Sequence, residues 1–252
     1  MTHERRMMET SSPTDRRRLN AAPDDVLPLL TGLGRIMAIG KHKGVTHERI
    51  GRVEAVVIAD GRARLEGDAH AGELDLAKVT SITADFTAAM GDKAMPRLEF
   101  ANARGEPILS IVVLDGRQEF DQAFGGLPAE EAGAAAAVPR PERRDLADDD
   151  PGFLLLDALR RSGDTVELLL ERAGFAQSWR GPIEKVSSGM GFANVMTDSF
   201  HLHLRGGSVA RWRWQADTAR LVALDAEDLP IGLFIRGADA TLAMLAERKH
   251  AN

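Results

Sequence analysis

The sequence repeats itself, and the repetition limits the fold more than any other feature. Arg97 to Ile108 parallels Arg220 to Ile231 without a gap, and Gly51 to Val56 parallels Gly181 to Val186. Between these anchors, Glu73-Leu74-Asp75-Leu76 matches His201-Leu202-His203-Leu204. The offset falls from 130 residues at Gly51/Gly181 to 123 at Arg97/Arg220, which places the lost residues of the second copy in its loops. Three matches in one order indicate a duplicated unit.

The repeated unit reads as β-rich. Val53 to Ile58 and Arg62 to Leu65 are short β-branched or alternating runs separated by the turn Ala59-Asp60-Gly61, and such runs continue to Val113 as an antiparallel meander. Helices are expected at Asp24 to Leu33, Phe153 to Arg161, Asp164 to Ala173 and Ala238 to Lys249. In the third of these, Asp164 and Glu167 form a capping-box-like step and Gly174 sits at the C-cap. The expected fold is therefore α+β, with two structural repeats, each a large antiparallel β-sheet with flanking helices. Residues 1–22 read as a disordered tail, 23–126 as the first repeat, 127–151 as a linker and 152–252 as the second repeat. Two like apolar faces are most simply buried against each other or against their own helices, and the crevice between such halves suits a large flat ligand.

Composition narrows the function. The formal charge of -6 gives no overall positive field, so nucleic acid is not an expected partner. The basic run Arg16-Arg17-Arg18 reads as part of the solvated tail. No apolar stretch approaches the ~20 residues of a bilayer span, and Met1 to Ala22 is too polar for a secretory signal, so the expected location is the cytoplasm. Cysteine and tyrosine are both absent, which removes thiolate and phenolate chemistry.

Leu33 to Gly51, an apolar strand followed by a basic residue and a His-Glu-Arg step before glycine, resembles the opening of the first repeat in the cytoplasmic haemin-degrading factor family (HemS type). Gly191-Phe192-Ala193-Asn194-Val195 and Phe200-His201-Leu202-His203-Leu204-Arg205 are similar to that family's Gly-Trp-x-Asn-Val and Phe-Asn-Leu-His-Leu steps, and Trp212 matches a family tryptophan. The resemblance runs from Leu33 to Gly237 apart from the linker. It implies paired β-sheet repeats that bind haem and move it or help degrade it, with a haem transporter or haem oxygenase as possible partner. The chain departs from the pattern in two places. Asp150 to Leu155 carries no histidine where the family keeps its usual axial ligand, and Gln215-Ala216-Asp217-Thr218 replaces an Arg-Lys-Pro-Thr step.

Haem requires an axial donor, cations for two propionates and apolar walls. With neither cysteine nor tyrosine available, the donor must be histidine or methionine. Lys41, His42 and Lys43 with His47, Glu48 and Arg49 are the densest supply, and the same run also reads as a charged loop entering a strand. His47, which the family pattern matches, is the expected iron ligand. His201 and His203 share one strand face, which reads as a solvated outer face of the sheet, with no third metal ligand evident; Glu48 reads as a surface partner of Arg49 or Lys43. His203 is the better functional candidate of the two, since the family keeps histidine there. Arg211 and Arg213 alternate with Trp212 and Trp214, giving either a propionate clamp or an amphipathic strand. Asp148-Asp149-Asp150 reads as a solvated run. Three functions remain: a haem carrier or store, an enzyme that opens the porphyrin with a reductant, and a haem-free interaction module.

Overall fold

A computed structural model describes residues 16–87, 89–90, 93–133, 145–237 and 239–247. Strand β1 (Arg16–Leu19) is followed by the short helix α1 (Pro23–Val26), which runs into a 3-10 segment over Leu27–Gly32. The hairpin of β2 (Ile36–His42) and β3 (Val45–Gly51) leads to a meander of β4 (Ala55–Ala59), β5 (Arg62–Gly67) and β6 (His70–Asp75). Next come β7 (Ser81–Asp85), a small ladder of β8 (Ala89–Met90) with β9 (Lys93–Ala94), the hairpin of β10 (Arg97–Ala101) and β11 (Pro107–Val113), helix α2 (Arg117–Phe124) and β12 (Ala129–Glu131).

The second half follows the same plan. Helix α3 (Pro151–Ser162) precedes the hairpin of β13 (Thr165–Arg172) and β14 (Phe175–Pro182). The meander is β15 (Val186–Gly189), β16 (Phe192–Met196) and β17 (Phe200–Arg205). After it come β18 (Arg211–Gln215), the hairpin of β19 (Arg220–Leu224) and β20 (Pro230–Arg236), and helix α4 (Asp239–Glu247).

The halves are interlocked. One sheet runs β12-β1-β7-β10-β11-β2-β3-β17-β16-β15, and the other runs β18-β19-β20-β13-β14-β6-β5-β4. Each sheet therefore takes its main body from one half and a three-strand meander from the other. The exchange joints are antiparallel pairings, β3 with β17 and β14 with β6. A repeat in sequence is consequently not a sheet in space.

Strand alternation assigns the core. Ile36 and Ala38 on β2 point inward with Leu98, Phe100, Leu109 and Ile111, meeting Leu27, Leu30 and Phe120 from the helical segments and Leu65, Leu74 and Phe175 from the facing sheet. A second cluster joins Leu155, Leu156 and Leu159 of α3 to Phe200, Leu202, Leu168, Leu233 and Trp179. Trp179 stacks on Phe200 with centroids 4.6 Å apart.

Local expectations fail where tertiary pairing overrides them. Asp164 to Ala173, expected as a helix, is a turn into β13: Val166, Leu168 and Leu170 are buried on one face, and Gly174, at φ 89°, turns the chain into β14 instead of capping a helix. Arg16 to Arg18 are not a solvated tail. They form β1 between β7 and β12, with Arg16 bonded to Asp85 at 3.2 Å and to Glu99 at 3.2 Å. Part of the expected linker is ordered by the same strand, because Ala129–Glu131 pairs with it. Asp150 is buried at the start of α3; its Oδ1 accepts from the Phe153 amide at 2.9 Å and its Oδ2 from the Gly207 amide at 2.9 Å. Residues 1–15 of the tail, 134–144 of the linker, and Ala238, Arg248 and Lys249 of the last expected helix lie outside the described residues. The middle anchor of the repeat also moves by two residues. His203 lies opposite Thr46 and Glu73 opposite Ala176, so Glu73 is the counterpart of His203 in the Gly51/Gly181 frame.

Candidate functional site

Period-two geometry splits the basic run. His42 and His47 point into the sandwich, and Lys41 points out. His47 is fully buried. Its Nε2–H donates to the Leu168 carbonyl at 3.1 Å, and its Nδ1 accepts from the Gln177 amide at 3.0 Å. Burial, outweighing the hydrogen bond to Leu168, lowers its pKa to about 3 and keeps the ring neutral. Both ring nitrogens are engaged inside the core, so the expectation that His47 ligates iron is corrected: it is a core histidine.

His42 is half-buried at the end of β2, beside Gly232. Burial first, then the charges of Arg172 and Lys43, hold its pKa below the usual histidine value. Lys43, in the turn, bonds Asp225 at 3.2 Å and the Pro230 carbonyl at 3.3 Å. Arg211 and Arg213 lie on β18 at the edge of the other sheet, where Arg211 pairs with Asp228 at 2.6 Å and Arg213 is exposed. Trp212 and Trp214 take the opposite face, as alternation requires, and the Trp212 indole donates to the Pro151 carbonyl at 3.0 Å. Among the described residues neither arginine bonds a histidine; Arg211 meets the β19–β20 turn that Lys43 also reaches.

Lys41 and His203 share a sheet face, two strands apart. Cross-strand register on the outer face of the ten-stranded sheet sets Lys41, Thr46, His203 and Asn194 in one row. The adjacent row is Ile39, Glu48, His201 and Met196. Phe192 and Arg205 continue the same face. Glu48 Oε2 lies 3.2 Å from His201 Nδ1 and 3.8 Å from His203 Nε2. His203 Nδ1–H donates to Asn194 Oδ1 at 2.6 Å, which leaves Nε2 facing the carboxylate. Burial would raise the Glu48 pKa, but hydrogen bonds and charge from His203 and His201 outweigh it, and the carboxyl stays below its ordinary value.

Sequence reasoning missed this grouping for a physical reason. Glu48 belongs to the first half and both histidines to the second, and only the β3–β17 exchange joint brings them together. Glu48 joins the two histidines across that joint and pairs with them, not with Arg49 or Lys43. Arg49 turns inward instead and donates to the Ala69 carbonyl at 2.7 Å and the Asp68 carbonyl at 3.2 Å.

The architecture is shared with solved structures. ChuS, a haem oxygenase of Escherichia coli, superposes with a TM-score of 0.70 at 16% identity, over 88% of this chain and 83% of that one. Apo-PhuS, a haem-binding protein from Pseudomonas aeruginosa, gives 0.70 at 18% identity over 93% and 86%. The chain has the ChuS and PhuS fold. Holo-PhuS gives 0.70 at 18% identity over 89% and 82%. The α+β architecture implied by the haemin-degrading factor resemblance is thus the one observed. No family model matches the sequence, and no curated protein does either. Among the described residues, no helix is long and apolar enough to cross a membrane.

Proposed function

We propose that this protein binds haem and carries it in the cytoplasm, loading it on the outer face of the ten-stranded sheet with His203 as the iron donor. The observation that supports this reading is the row of Lys41 and His203 on a fold shared, nearly end to end, with haem-handling PhuS and ChuS. The residues present suit the ligand. His203 has Nδ1 held by Asn194 and Nε2 turned toward Glu48, 3.8 Å away, and the Nδ1 bond fixes the tautomer in which Nε2 would meet iron. Lys41 and Arg205 are exposed cations on that face, and Ile39, Phe192 and Met196 supply apolar surface. Haem would bring its own iron chemistry; the chain's part is to hold the imidazole, offer charge to the propionates and cover part of the ring.

An open sheet face favours reversible carriage over ring opening, which needs a held, water-excluded macrocycle edge. A transporter that delivers haem and an oxygenase that receives it are the partners such a carrier would meet. Titration with haemin tests the reading: a saturable Soret shift near one equivalent is expected, and His203→Ala should weaken binding about tenfold, or about 1.4 kcal/mol. No shift at micromolar haemin, or a His203→Ala protein that binds like wild type, would overturn it. Bleaching of bound haem by ascorbate in the presence of catalase would instead favour an enzyme.

A further inference from the structure

We infer that Glu48, His201 and His203 form a chelating site for a divalent first-row transition ion, independent of haem. One ligand atom from each side chain falls within 4.8 Å of the other two. An ion bound at roughly 2.0–2.2 Å from nitrogen and oxygen needs ligand atoms about 3–3.5 Å apart. Glu48 Oε2 is already 3.2 Å from His201 Nδ1, and the remaining closure requires only side-chain rotation. The three side chains are 13–28% exposed, which leaves room for that rotation and a path for an ion to enter. Two imidazoles and one carboxylate give three protein ligands with open positions, the set that suits zinc or ferrous iron more than calcium or magnesium.

Two features distinguish the cluster from an ordinary solvated ion pair. Asn194 accepts from His203 Nδ1 at 2.6 Å, a second layer that fixes which imidazole nitrogen faces Glu48. The duplication also supplies an internal comparison. At the other exchange joint the counterparts of Glu48, His201, His203 and Asn194 are Ser178, Ala71, Glu73 and Arg64. That set retains one carboxylate and no imidazole, so the fold does not demand a histidine pair at this position. The haem proposal also uses His203, so an ion bound here would compete with haem for it.

The test uses the full chain without haem. Titration with cobalt(II), followed by its visible d–d bands, and then with zinc by calorimetry, should show one saturable site per chain, with zinc displacing cobalt. Glu48→Gln, His201→Ala and His203→Ala should each weaken binding at least tenfold, and Asn194→Ala by roughly 10-fold or more through loss of orientation. His42→Ala should bind as wild type does. Circular dichroism of each variant separates ligand loss from misfolding, and Glu48→Gln preserves shape if a histidine variant folds poorly. Absence of saturable cobalt binding, or binding unchanged by both Glu48→Gln and His203→Ala, overturns the site. Because no haem is present, that failure leaves the haem reading standing, and a failed haemin titration leaves this site standing.

Discussion

His47 and Gln177 are counterparts in the two halves of the chain, and they are bonded to each other at 3.0 Å. The relation extends outward. His47 donates to the carbonyl of Leu168, while Gln177 donates to the carbonyl of Ala38 at 3.2 Å, and Leu168 is the counterpart of Ala38. A reciprocal polar clasp of two buried side chains thus bridges the two sheets. Its chemical asymmetry, imidazole against amide, gives the first prediction.

Stability should depend on pH through His47. Its folded pKa is about 3, below the unfolded value of roughly 6.5. Between the two, only the unfolded chain binds the proton. The clasp's stabilisation is therefore complete above about pH 6.5 and is lost as pH falls toward the folded value, by up to about 1.4 kcal/mol per unit. Urea midpoints measured from pH 7.5 to 5 should fall more steeply for wild type than for His47→Gln, which keeps a donor and an acceptor but does not titrate. Parallel curves would contradict this.

His47→Ala should act on folding and not on haem. It removes the bond to the Leu168 carbonyl and opens a cavity, while the Gln177 amide keeps the carbonyls of Ala38 and of residue 47, at a cost of about 2–4 kcal/mol. The Soret maximum of any bound haemin should stay where it is in wild type. A displaced maximum in a folded His47→Ala protein would return this residue to the iron.

Asp150 ties α3 to the turn after β17 through its two carboxylate oxygens. Asp150→Ala should lower stability by about 1–3 kcal/mol, combining a lost N-cap with an unpaired Gly207 amide. Asp150→Asn should fall between, since an amide oxygen replaces only one acceptor. Chemical denaturation distinguishes the three proteins.

Arg16 pins β1 against β7 and β10 through Asp85 and Glu99. Arg16→Ala should accelerate amide exchange in Arg17–Leu19 and in the paired Ala129–Glu131, while the β2–β3 hairpin keeps wild-type protection. Unchanged exchange in β1 would show that its backbone ladder alone holds it.

Much of this architecture can be read in the residues, and the exceptions share a cause. The Gly51/Gly181 and Arg97/Arg220 anchors disclose the duplication because the interiors of both copies need similar apolar spacing. Asp164 to Ala173 misleads because a local cap signal competes with the alternation of Val166, Leu168 and Leu170, and hairpin pairing with β14 together with long-range pairing with β20 decides between them. Arg16 to Arg18 look like a solvated tail because their strand partners, and the acidic partners of Arg16, lie far along the chain. The same applies to the candidate site: Lys41 and His203 are recognisable as chemistry-bearing residues, but their alignment, and the entry of Glu48, depend on a strand pairing with no local signature. The basic run from Lys41 to Arg49 looks like one cluster only until alternation sends His42 and His47 to the interior.

The traded meanders bear on what can be removed from this chain. Cut between the halves, either fragment would carry three strands whose neighbours had left, beside a hairpin edge at β3 or β14 with unsatisfied amides and carbonyls. Such a fragment has one economical remedy, which is to take the missing strands from a second copy of itself. The covalent chain behaves as a tethered version of that twofold association, its linker holding the partner at high effective concentration. Neither half alone should therefore fold as a monomer, and the molecule should melt in one cooperative step despite the repeat written in its sequence.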